Sequence, residues 1–511
     1  MTSAPDKHYD VIVLGRSIGA LTAAALLARR AFTVLVLGQG TRPGSYRVDG
    51  RPLRRRAFTM LAATSPAWRR VVVELAQSQT WKRRTIQAQP MMQILAPRMR
   101  LELPPDMGLL GREVERELPE LKRLVEELYA ELARVNGAAD EAFEADAVWP
   151  PGTFWERRET NRYAAMLPYV RAEPDADLLV DFPRGHFYRH VVGASVHYAT
   201  NLSVMPPPFA VARLHGAWTR GPLLLGRGED ELDEFLFDRI EAHGGRCELG
   251  ERAVGIAVRR GVAGGVVLDG DDRPIGANFV VTDLDGETVA ALAGGEGIHK
   301  RAQREWPRIA APVGRFVVST VVRREGIPDP LGPDAFVQVP HALGLLTPFV
   351  HLQRLDLDRD ETLLVAEALL PDRGSVPVPA ARQTVLDALA RELPFFERHI
   401  VMADSPHDGL PLWRWEGGTR RVVDRASLGL PATAEPMVKN LEVDPPGYLG
   451  LAGEPIRGPI ERTLLCGRSV LPSLGQEGEL LAAWGAARLV TRSDRKKERM
   501  RREMWSKVEI G

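Results

Sequence analysis

The sequence predicts an α/β fold in which a nucleotide-binding sheet is assembled from separated stretches of chain, with a mixed-sheet domain and a helical region interleaved between them. Three observations carry this: a β-rich run, small-residue turn and apolar helix near the N-terminus; a helix, strand and hairpin block between 228 and 285; and a strand leading through a glycine-rich turn into a helix after 462.

Residues 9–14 hold Val11, Ile12 and Val13 and read as a strand. Glycine and small residues follow at 15–20, then a helix-favouring stretch to Arg30 and a second apolar run at 33–37. That is the order of a Rossmann-like FAD/NAD(P)-binding unit, and its near-continuous apolar pattern suits parallel strands covered on both faces. Residues 91–103 read as a hairpin around Pro97 and Arg98. Leu110, Val114, Leu118, Leu121, Val125, Leu128 and Leu132 form one helical stripe, with Pro119 fitting only a helix start or a kink. Residues 230–243 have helical period, 246–249 a short strand, 253–259 with 264–268 a hairpin, and 279–283 a buried strand expected to rejoin the first sheet. Strands at 316–323 and 362–370 and a helix at 379–393 belong to a further sheet; 462–466 and 479–491 supply the last strand and helix. The expected partition is 1–85, 226–300 and 456–492 for the dinucleotide-binding domain, 86–225 and 301–455 for the substrate domain and helical region, and 493–511 for a basic, mobile tail.

A length of 511 residues predicts two or three domains. Lys plus Arg and Asp plus Glu are equal at 67 each, so no global field draws the chain to nucleic acid. Cys247 and Cys466 give neither metal spacing nor a disulfide framework and are expected as free thiols. The polar residues 1–10 lack the basic and apolar regions of a secretory signal, and the apolar stretch 20–37 is broken by Arg29 and Arg30. A cytoplasmic protein is expected.

Gly15, Arg16, Ser17, Ile18, Gly19 and Ala20 stand where a dinucleotide fingerprint reads G-x-G-x-x-G/A. Gly15 suits the tight turn, Ala20 close helix packing, and the helix start near Ile18 and Gly19 an anion. Ser17 replaces the second glycine, and its hydroxyl either donates to a phosphate or blocks it. After the second strand, where a carboxylate would accept the ribose hydroxyls, come Gly38 and Gln39. Loss of a charged acceptor contributing about 1.5–3 kcal/mol weakens adenosine binding about tenfold or more unless Gln39 substitutes. Arg42 just beyond is compatible with the 2′-phosphate of NADP, a minor alternative to FAD.

Three blocks together resemble the phytoene desaturase and carotenoid isomerase branch of the FAD-dependent amine oxidase superfamily. They are residues 9–46, where Arg42, Pro43, Gly44, Ser45 and Tyr46 replace a glycine pair and arginine; residues 226–283, with Val254 in the place of an adenine contact and Thr282–Asp283 ending the strand; and residues 464–478, which hold Gly467, Arg468, Gly475, Gln476, Glu477 and Gly478. The resemblance implies FAD against Gly15, Ser17, Ile18, Gly19, Ala20, Gly38, Gln39, Arg42, Val254, Gly467, Arg468, Gly475 and Gly478. It implies desaturation or isomerisation of a hydrophobic polyene, isoprenoid or related lipid, with the flavin performing the chemistry. The rival expectation is a desaturase-like protein that has lost flavin and serves as a binding or scaffold subunit, motivated by Ser17, Gly38 and Ser45.

Arg468 and Glu477 are the candidate catalytic side chains, weighed against ion pairing and helix capping. His186, His190 and His197 lack ligand spacing, so no metal is expected. Trp413 and Trp415 fit packing better than a channel lining. The arginine-rich stretch 47–84 and the basic tail are expected either as solvated faces or as a peripheral contact with an anionic membrane; nucleic-acid binding is not expected.

Overall fold

The computed structural model describes residues 7–104, 106–170, 176–340 and 343–508. Among the described residues, seven strands form the first sheet: β1 (His8–Leu14), β2 (Val34–Leu37), β3 (Arg246–Glu248), β4 (Ala253–Arg259), β5 (Val262–Leu268), β6 (Asp271–Thr282) and β7 (Thr463–Leu465). Their order is β4-β5-β6-β1-β2-β3, with β7 pairing on β6. β1 runs parallel to β2 and to β6, with Leu14 opposite Leu37 on one side and Thr282 on the other. Val11 to Leu14 and Val34 to Leu37 are buried, the signature of a sheet covered on both faces. Helix α1 (Ile18–Arg29) is buried from Ile18 to Ala28 because it lies between this sheet and the late helix.

The second sheet is long and mixed. Its central strands, 308–323 and 361–371, pair antiparallel over eleven positions, and the hairpin Met92–Ala96/Met99–Leu103 joins through a parallel pairing with Asp334–Gln338. A helical group is formed by α2 (Lys122–Glu144), α3 (Phe154–Ala164), α4 (Phe187–Ala199) and α5 (Pro208–Thr219), with α2 packed on α3 and α5, and α4 on α5. The stripe from Leu110 to Leu132 is buried throughout, but the chain breaks at Leu118–Pro119 into two helices, since proline removes an N–H and crowds the preceding turn. α6 (Glu229–Ala242) and α7 (Gly475–Arg492) complete the packing on the first sheet.

The tail corrects an expectation. Residues 495–508 form α8 (Arg495–Val508), and several of its cations are used internally. Arg501 pairs with Asp146 and Glu498, Lys497 lies 3.7 Å from the centre of the Phe32 ring, and the Trp505 ring meets Trp484 edge-on. The arginines of 47–84 are likewise largely spent: Arg51 on Glu361, Arg55 on Glu435, Arg56 on Glu229, Arg84 on Glu234 and Asp238, while Arg54 and Arg70 are buried. Arg47, Arg69, Lys82 and Arg83 remain exposed.

Candidate functional site

The turn after β1 brings Gly15 to a positive φ of 116°. A Cβ there would lie 1.8 Å from Oδ1 of Asp283, the residue that follows β6. Asp283 Oδ2 accepts from the backbone N–H groups of Arg16 (3.0 Å) and Ser17 (2.7 Å). The Ser17 hydroxyl is engaged as the N-cap of α1, accepting from Ala20 N at 3.2 Å. The protein's own carboxylate and hydroxyl thus take up N–H groups that a dinucleotide pyrophosphate would need. Burial pushes the Asp283 carboxyl up, while the N–H bonds oppose that shift.

The adenosine end is closed in the same way. A Cβ on Gly38 would stand 2.1 Å from the Leu249 carbonyl, so no acid fits there. The Gln39 carboxamide spans the backbone of Ala253, accepting from its N–H at 2.6 Å and donating to its carbonyl at 3.2 Å. Val254 is 46% exposed on the outer side. Arg42 pairs with Glu435, which also holds Arg55, and Gly44 N donates to Asp230 at 2.7 Å. Gly19 and Gly467 are close-approach glycines: a Cβ on the first meets the Cys466 carbonyl at 1.9 Å, on the second the Asp283 carbonyl at 2.2 Å. Gly475, at φ 53°, and Gly478 pack likewise against the carbonyls of Ala199 and Leu471.

A cavity of about 270 Å³ lies within this crevice, walled by Arg16, Ser17, Ile18 and Asp283 from the turn and by Arg468 and Glu479 from the late block. Arg468 donates Nε–H to Asn201 Oδ1 at 2.9 Å and makes no ion pair among the described residues; burial, with Arg315 nearby, brings its pKa down to about 10. Glu479 escaped the sequence reading. Burial pushes its carboxyl up to about 7, Arg468 opposing and Asp283 adding to the shift. Its signal was the i, i+2 pairing with Glu477 at a helix start, whose two side chains point to different neighbours.

Glu477 is not in this cavity wall. Its carboxylate takes the Arg213 guanidinium at 2.7 and 2.6 Å and the Ser65 hydroxyl, joining α7 to α5, and Asp140 of α2 binds the same arginine. Burial raises this carboxyl, but Arg213 overrides it and holds the pKa below the ordinary range. It is a structural ion pair.

A second cavity of about 900 Å³ is mainly apolar, with Val192, Leu202, Met205, Val211, Leu346 and Leu449 in its wall. His190 and His197 also line it. Burial, with Arg315, lowers His197 to about 4, so it is neutral at physiological pH. His186 instead caps α4. No group of three potential metal-ligating side chains occurs among the described residues. Trp413 and Trp415 pack edge-on, with Arg382 and Arg420 over Trp413, in the second sheet rather than along either cavity. Cys247 and Cys466 are free thiols.

FAD is a poor fit to this set of residues. A pyrophosphate would have to displace the Asp283 carboxylate from the N–H groups of Arg16 and Ser17, although Arg16, Arg56, Arg315 and Arg468 in the same cavity wall supply positive charge. The crevice cavity also falls below the roughly 300–1,000 Å³ of ordinary small-molecule sites, whereas the apolar chamber lies within that range.

A family model described as an NAD(P)-binding Rossmann-like domain matches residues 13–75. No curated protein matches the chain in sequence. Among solved structures, an oxidoreductase from Methanosarcina mazei is similar at TM-score 0.55 and 13% identity, covering 93% of this chain and 98% of that one. A protein from Pyrococcus furiosus is similar at TM-score 0.54 and 14% identity, covering 94% and 97%. Putrescine oxidase bound to putrescine is similar at TM-score 0.52 and 13% identity, covering 94% and 99%. No helix among the described residues is long and apolar enough to cross a membrane. The chain therefore shares its fold with these proteins, an oxidoreductase and putrescine oxidase among them, and its residues 13–75 match a Rossmann-like NAD(P)-binding domain.

Proposed function

We propose that this chain is a binding protein on an oxidoreductase fold, which takes an elongated apolar molecule such as an isoprenoid, polyene or related lipid into the 900 Å³ chamber and does not seat FAD. The observation that carries the reading is the Asp283 carboxylate on the N–H groups of Arg16 and Ser17. The chamber walls supply burial at about 25 cal/mol per Å² of apolar area; of its charged lining residues, Arg189 pairs with Asp177 at 2.7 Å, and His197 is neutral.

The second reading is an FAD-dependent desaturase or isomerase acting on the same class of molecule. It is favoured by the crevice cavity itself, where Arg468 stands without an ion-pair partner among the described residues. The visible absorption spectrum of the purified protein, followed by titration with FAD, separates the two. The first reading expects neither flavin bands nor uptake; stoichiometric FAD overturns it in favour of the second.

A further inference from the structure

Helix α3 presents a surface that neither cavity uses. Phe154 and Trp155 at its start are 72% and 70% exposed, their rings edge-on at 5.4 Å between centroids. Large aromatics this exposed are uncommon unless something covers them. Arg157, Arg158 and Arg162 are exposed on the same helix, and Arg158 lies 6.0 Å from the centre of the Trp155 ring. The acids of α3 do not cancel these cations: Glu156 is buried under Arg457, and Glu159 pairs with Arg488. Residues 154, 155, 158 and 162 fall one turn apart and so share a side of the helix.

The helix is tied to the chamber wall by one hydrogen bond. Asn161 of α3 accepts from the Tyr448 hydroxyl at 2.6 Å, and the next two residues, Leu449 and Gly450, line the chamber. Tyr169, a little beyond α3, is both exposed and part of the chamber wall.

We infer that α3 is a docking surface for an anionic lipid bilayer, with Phe154 and Trp155 entering the headgroup region and Arg157, Arg158 and Arg162 meeting lipid phosphates. Charge complementarity selects the occupant, because aromatic rings beside unneutralised arginines suit a negatively charged interface better than an apolar protein face. This relocates the membrane contact expected from the sequence, where most arginines of 47–84 are engaged internally. The inference is independent of whether FAD binds.

The test is sedimentation of the full-length protein with vesicles of phosphatidylcholine alone and with roughly 30 mol% phosphatidylserine. The wild type is expected on the anionic vesicles and released by added salt. Arg157→Gln/Arg158→Gln/Arg162→Gln lowers the partition coefficient on the order of a hundredfold, at about fivefold per cation. Phe154→Ser/Trp155→Ser lowers it about tenfold or more. All five positions are exposed, and circular dichroism checks that each variant is folded. Wild type that stays in solution, or variants that bind as wild type does, overturns the inference. So does loss of binding on Arg47→Gln/Lys82→Gln/Arg83→Gln with α3 intact. A dimer that Phe154→Ser/Trp155→Ser converts to monomer assigns the surface to a second copy instead.

Discussion

The crevice of the first sheet and the apolar chamber contain the same kinds of backbone but opposite solutions to empty space. In the crevice, polar groups from distant parts of the chain reach in and satisfy one another: Asp283 on the α1 turn, Gln39 on Ala253, Arg42 on Glu435. In the chamber, valine, leucine, methionine and proline line about 900 Å³ and leave it open. The two regions thus differ in how far the protein's own side chains take up the space between its elements, while the sheet register is the same in either case.

The strongest way to break this comparison is to reopen the crevice. Asp283→Ala/Gln39→Ala removes both intruding side chains, and FAD affinity, followed by quenching of flavin fluorescence, is expected to rise by roughly a hundredfold, from release of the N–H groups of Arg16 and Ser17 to the pyrophosphate at about 1.5 kcal/mol or more each. No gain would show that the closure lies elsewhere. Gly38→Glu, the substitution that the missing ribose acceptor suggests, is expected to cost about 1–3 kcal/mol without helping, because the Leu249 carbonyl already occupies the space.

A test of similar size falls on the boundary between the two regions. Glu477→Ala leaves the buried Arg213 guanidinium with Asp140 and Asn136 alone and is expected to cost about 2–3 kcal/mol in urea unfolding, with binding of an apolar guest per folded molecule unchanged. A large loss of binding at intact stability would return Glu477 to the functional site.

The crevice also predicts a pH dependence. Glu479 has its folded-state pKa raised from 4.5 to about 7, so the folded protein holds this proton more tightly than the unfolded chain does. Stability therefore falls as pH rises from 4.5 to 7. Glu479→Gln is expected to be more stable than wild type by about 3 kcal/mol above pH 7 and equal to it below pH 4.5, measured as unfolding free energy across that window.

The smallest effect belongs to the chamber. Gly193, within α4, has open space where a Cβ would go and lines the cavity. Gly193→Leu is expected to stabilise the helix by about 1 kcal/mol while lowering binding of an apolar fluorescent probe about tenfold, so that thermal melting and probe titration move in opposite directions.

The elements that position the crevice were legible because apolar period fixes local structure, whereas α4 and α5, which wall the chamber, were not read from the sequence. Strands at 9–14 and 33–37, the hairpin at 253–268 and the helix at 379–393 all stand within a few residues of where the pattern puts them. The helix at 479–491 begins four residues earlier, at Gly475, since its first turn is spent on close packing rather than on an apolar stripe. What pattern could not supply was partners. Arg213 and Glu477 are 264 residues apart, and a lone glutamate at a helix start looks the same whether it caps, catalyses or neutralises. The tail looked mobile because its charges outnumber its apolar residues, yet Trp505 and Arg501 anchor it to Trp484 and Asp146. Asp283 was within reach: with β1 and β6 parallel and Leu14 opposite Thr282, the residue after each strand must lie beside the other, which places a carboxylate at Gly15.

The three-part origin of the first sheet also governs how the chain can be made. β1 and β2 leave the ribosome early, but β6 lies more than two hundred residues later and α7, which covers α1, arrives only after residue 475. At about 5–20 residues per second, the apolar surface of α1 waits on the order of tens of seconds for its cover. The apolar surface of α1 therefore stays without α7 while more than four hundred further residues are made.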